Sequence, residues 1–259
     1  MTGLAVAVVV AICALYQLPA SPLARRGYAE RPAVQATTSG PAVVPSERPV
    51  PPPKRAPVRI TYPAQGTVSY GVLPGDPRII GKGGRLMTFQ IAIEGGINGV
   101  DRNALVQFVR ATYGAPQGWA SHGLWRFRQV GPGQAADFTL MLVTPATRDI
   151  LCGGGYDRYT SCRIGDRVVL NVARWVHGVP NYGAPLTAYR QYMINHETGH
   201  RLGRGHELCP GPGRPAPVMQ QQTLGLHGCT PYSWPYFNGI RYQGRLGQYN
   251  DAVPKGRGW

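Results

Sequence analysis

Lysine is nearly missing from this chain: Lys54, Lys82 and Lys255 are the only three in 259 residues. Acidic residues are also scarce, 12 against 27 basic ones, so a formal net charge of +15 rests almost wholly on arginine. Nucleic-acid-binding chains gather such charge on one face or in one run. Here the arginines are scattered singly, apart from Arg25-Arg26 and Lys54-Arg55. That dispersal argues against specific nucleic-acid binding and leaves a diffuse basic surface suited to anionic polymers of a cell envelope. There is no second long apolar run, which excludes a multi-span membrane protein. Glycine (35) and proline (25) are plentiful but have no period of three, which excludes collagen. No cysteine pair has CxxC spacing, which disfavours a cysteine-held zinc. With 43% of residues apolar, a packed core fits part of the length, and the rest is spacer.

The apolar run that does exist, residues 4–18, is uncharged and about as long as a signal-peptide core. Pro19 and Pro22 stop it at once. Residues 1–20 therefore read as a signal peptide or a membrane anchor, with membrane contact confined to that segment. Residues 21–63 read as a disordered, proline-rich linker, since they cannot bury enough apolar surface to offset ordering entropy. A folded domain is expected over 64–259, outside the cytoplasm: extracellular or held at the envelope. Four cysteines lie in it, Cys152, Cys162, Cys209 and Cys229. An even count in an exported domain points to two disulfides. Three pairings are possible, and short loops favour Cys152–Cys162 with Cys209–Cys229.

Hydrophobic patterning predicts strands at 87–93, 124–130, 138–143, 160–164 and 168–172. A helix is expected over 102–112 behind the N-cap candidate Asp101. A longer helix begins at Pro185 and ends at Gly203. On it Tyr189, Met193, His196 and His200 recur at spacings of four, three and four, which places both histidines on the core-facing side. Most of the chain after 230 reads as irregular. The fold class is α/β (α+β), with a twisted mixed sheet of about five strands.

Residues 196–206 read HETGHRLGRGH. Two histidines four apart on a helix can reach one ion. Glu197, beside the first, projects next to the metal and can take a proton from a zinc-bound water. A catalytic site of this type needs a third ligand and one open position. On a continued helix, His206 would lie about 9 Å beyond His200 along the axis. The chain must therefore turn back, and Gly203 stands where a left-handed turn is easiest.

This segment resembles the metzincin pattern H-E-x-x-H-x-x-G-x-x-H at every fixed position. The chain is also similar to uncharacterised exported bacterial domains with the same motif, over about residues 64–259. The resemblance implies a metzincin-like zincin domain with a long active-site helix and an irregular C-terminal subdomain. It implies Zn²⁺ held by His196, His200 and His206, Glu197 as general base and acid, and Gly203 as the turn. It further implies that Met219, 13 residues after His206, forms a Met-turn under the metal. Several metzincin families place a tyrosine two residues after that methionine; here the residue is Gln221, leaving Tyr232, Tyr236 or no residue in its place. Glu207 follows the third histidine as in astacins. His122, His177 and His227 read as surface or satisfied residues.

The expected function is an exported zinc endopeptidase acting on a protein or peptide through a metal-bound water activated by Glu197. The substrate would lie extended along an edge strand, with 160–164 the candidate. Two alternatives use the same features: a zinc amide hydrolase of cell-wall material, and a catalytically silent module binding the envelope.

Overall fold

The computed structural model describes residues 59–153 and 155–255, all within the unit Arg55–Trp259. The expected leader at 1–20 and the linker up to residue 58 lie outside the described residues. Residues 59–63, assigned by composition to the linker, are packed: Thr61 pairs with Asn98, and Ile60 and Tyr62 lie against the core. Among the described residues, no helix is long and apolar enough to cross a membrane.

A seven-stranded mixed sheet is the frame. Its strands are β1 (Tyr70–Val72), β2 (Asp76–Ile80), β3 (Arg85–Glu94), β4 (Trp125–Gln129), β5 (Phe138–Val143), β6 (Cys162–Ile164) and β7 (Arg167–Asn171). They run in the order β2-β4-β3-β5-β7-β6, and β1 pairs with the end of β3 beyond β4. The four central strands β4, β3, β5 and β7 are parallel, while β1, β2 and β6 pair antiparallel at the margins.

The expectation of about five strands is corrected here to seven. The two extra strands, β1 and β2, carry Gly71 and Pro77 and are half-exposed, so neither shows the alternation that marks a half-buried strand. Two short helices were also unforeseen: α2 (Pro145–Cys152) and α3 (Val172–His177), beside α1 (Arg102–Gly114) and α4 (Leu186–Arg201). Both short ones follow a central strand directly, where apolar residues mask the change of period. Asp101 caps α1 as expected, accepting from the Ala104 amide at 2.9 Å.

The sheet's two faces separate by residue parity, as the pleat requires. Met87, Phe89, Ile91 and Ile93, with Leu140, Leu142, Val168 and Leu170, enter one core with residues of α1 and α4. Ala92, Met141, Val143 and Val169 enter a smaller core on the opposite face. Two polar ties lock α4 down: Tyr113 Oη meets Thr198 Oγ1 at 2.9 Å, and Trp119 Nε1 donates to Asn195 O at 2.9 Å.

Glu94 closes the far end of β3. Its buried carboxylate accepts from Val68 N (3.0 Å), Thr144 N (2.7 Å), Thr144 Oγ1 (2.9 Å) and Thr147 Oγ1. It joins the β1 approach to the N-terminus of α2. Glu94→Ala strands these donors and should cost about 3 kcal/mol of stability, read as a shifted urea midpoint. A midpoint within experimental error of wild type would contradict this role.

Candidate metal centre

The long helix α4 brings His196 and His200 together by their spacing of four, with Nε2 atoms 3.2 Å apart. His206 joins them because the helix ends in a Schellman arrangement. Gly203, at φ 82°, donates to His200 O at 3.1 Å, and Arg204 N donates to Gly199 O at 2.9 Å. A side chain at Gly203 would be strained in this left-handed conformation. The chain then reverses, and His206 Nε2 lies 3.1 Å from His200 Nε2.

Each histidine is held through its other ring nitrogen. His196 Nδ1 donates to Val218 O at 2.8 Å, His200 Nδ1 to Arg204 O at 2.8 Å, and His206 Nδ1 to Gln248 Oε1 at 2.9 Å. Because all three partners are oxygen acceptors, Nδ1 carries the proton and Nε2 keeps its lone pair. Three lone pairs thus converge, with the ligand atoms of the group all within 4.8 Å of one another. Such a cluster repels itself unless a cation shares it. Burial, then the neighbouring imidazoles, holds His196 well below its ordinary pKa, and burial lowers His200 to about 4. Neutral imidazole is the form that binds metals.

Glu197 is buried and lines the same cavity of about 490 Å³. Burial pushes its carboxyl up to about 8, against the opposing charges of Arg148 and Arg163. Arg163 stands on β6 opposite Val168, hence on the sheet face that α4 covers. Arg148, from α2, also reaches the cavity and pairs with Asp157 at 2.8 Å.

Met219 is fully buried directly beneath α4: a Cβ on Gly199 would collide with its sulfur. It sits in a turn closed by Gln220 N donating to Pro217 O at 2.9 Å, one residue after the carbonyl that holds His196. The disulfides join Cys152 to Cys162 and Cys209 to Cys229. The first ties α2 to β6, and the second closes the segment bearing Met219. Replacing both Cys209 and Cys229 by serine opens a loop of sequence separation 20. Chain entropy then predicts a loss of about 3 kcal/mol, measurable by urea titration. An unchanged midpoint would count against that role.

The remaining expected residues fall elsewhere. Neither tyrosine proposed as a substitute reaches the cavity: Tyr232 Oη donates to Tyr236 O at 2.6 Å, and the Tyr236 ring stacks on His122. Tyr236 belongs to the small hairpin β8 (Tyr236–Phe237) and β9 (Ile240–Arg241), none of whose residues lines the cavity. Gln221 does line the cavity, as do Tyr192 and Tyr249. Glu207 is buried and turned to Arg241 at 2.8 Å, away from the cavity. His177 lies by Tyr62, and His227 pairs with Asp251 at 2.8 Å. Sequence reasoning missed Gln248, Tyr249 and Asp251. They sit in irregular sequence, and Gln248 is 42 residues from its partner His206.

Among protein families, the model described as "Protein of unknown function (DUF3152)" matches residues 57–235. The chain belongs to the DUF3152 family. The DUF3152 match contains His196, Glu197, His200, His206 and Met219, and it ends before Gln248. No curated protein and no solved structure matches the chain.

Proposed function

We propose that this protein is an exported zinc hydrolase that cleaves peptide bonds. The observation that carries the reading is the convergence of three lone-pair-bearing Nε2 atoms in the cavity that also holds the Glu197 carboxyl. Tetrahedral zinc with Zn–N distances of about 2.0–2.1 Å needs nitrogens about 3.3 Å apart. The separations of 3.1 and 3.2 Å fit that requirement. His196, His200 and His206 would hold the ion, leaving a position open to the cavity. Zinc so bound supplies Lewis-acid polarisation of a carbonyl and lowers the pKa of water. The resemblance of HETGHRLGRGH to the metzincin pattern supports the same assignment.

The chain's own residues have separable tasks. Glu197, with no hydrogen-bond partner among the described side chains, is available to accept a proton from the attacking water and return it to the leaving amine. Arg148 and Arg163 place positive charge beside it. The outer edge of β6 is open, so an extended peptide can pair with it and run past Glu197. Two disulfides fit an oxidising compartment, which supports export.

Metal analysis of the purified protein, with a peptide-library digest beside a cell-wall digest, tests the proposal. About one zinc per chain and chelator-sensitive peptide cleavage are expected. Cleavage of wall amides alone would replace the peptide substrate, and the absence of zinc would end the reading.

A further inference from the structure

Two of the three histidines are held by main-chain carbonyls, those of Val218 and Arg204. His206 is different: its Nδ1 partner is the side chain of Gln248. The segment bearing Gln248 is a strap along the cavity rim, and Gln248, Tyr249, Asn250, Asp251 and Val253 all line the cavity.

The strap is fastened on both sides of Gln248. Before it, Leu208 N donates to Arg245 O at 2.8 Å and Gly247 N to His206 O at 3.0 Å. After it, the Tyr249 ring stacks on His227 with centroids 3.4 Å apart, and Tyr249 Oη accepts from Cys209 N at 3.2 Å. Asp251 then pairs with His227 at 2.8 Å. Cys209 is bonded to Cys229, so these anchors share the disulfide-closed segment. An exposed glutamine is thereby held at one position by anchors on both sides, of which Gly247 alone meets the triad, and only through the main chain of His206.

We propose that Gln248 is the positioning residue of the third ligand, seated by the strap Leu246–Asp251. This rests on the zinc reading above. An acceptor on Nδ1 fixes the tautomer that presents Nε2 and makes that nitrogen more basic, and loss of such a partner costs about 10–100-fold in metal affinity. The triad lies inside the family match and its positioning residue beyond it.

Zinc affinity, measured on the full chain by competition with a chromogenic chelator, reads this directly. Gln248→Leu should weaken zinc binding at least about 10-fold, with the melting temperature of the zinc-free protein unchanged. Gln248→Glu keeps an acceptor and should bind zinc as tightly as wild type or tighter. Tyr249→Ala should weaken binding in the same direction as Gln248→Leu. If Gln248→Leu binds like wild type, or if Leu and Glu weaken binding equally, Gln248 does not position His206. If wild type itself binds no zinc, the zinc reading and this inference fall together.

Discussion

Glu197→Gln should retain about one zinc per chain and lose roughly 10²–10⁴-fold in peptide hydrolysis, the usual contribution of a positioned general base. Glutamine matches glutamate in size and shape, so the cavity and the three histidines are undisturbed. It cannot accept the proton of the attacking water. The substitution also removes an acid whose burial opposes ionisation, so the melting temperature should stay equal or rise. Loss of rate without loss of zinc or fold separates chemistry from assembly. Undiminished cleavage by this variant would sink the assignment, whereas loss of zinc would show that Glu197 holds the site together instead.

Withdrawing zinc should cost the fold itself several kcal/mol. The triad draws on α4, on the reversal at Gly203 and, through its hydrogen bonds, on Val218 and Gln248. No unfolded chain presents these groups together, so zinc held by the native state would stabilise it by mass action. With free zinc at about 1,000 times Kd the gain is about 4 kcal/mol. For a domain of this size that is about 8–16 °C in melting temperature. Scans with zinc and with a strong chelator should differ by that amount, and His196→Ala should abolish the difference. A wild-type midpoint indifferent to the chelator would leave the cluster without a metal.

Much of the centre was legible because it is local. His196 and His200 are fixed by one helical turn, and Gly203 by the need to reverse, so eleven consecutive residues carried most of the geometry. The central strands were legible through parity: Phe138, Leu140 and Leu142 take one face, and Met141 and Val143 the other. What was hidden depends on distance or on weak pattern. Gln248 reaches His206 only after the strap is seated, and no local signal distinguishes it from a surface glutamine. Arg148 and Asp157 meet across the end of α2, a pairing for which no periodic pattern in the intervening residues gives a signal. Strands β1 and β2 are short and broken by Gly71 and Pro77, and their residues gain a strand's identity only from their neighbours.

The sheet's two outer strands also bear on solubility. An open edge is a template on which copies of a protein can polymerise. β2 is defended against this: Pro77 lacks a donor, and Arg78 and Asp76 form an exposed ion pair there. β6 has no proline and presents only three residues, with Arg163 in the middle. Its brevity and that one charge are what discourage self-pairing, because mutual approach of two such edges sets guanidinium against guanidinium. The molecule is thus guarded unequally, and the edge with the lighter guard is the one beside the histidines.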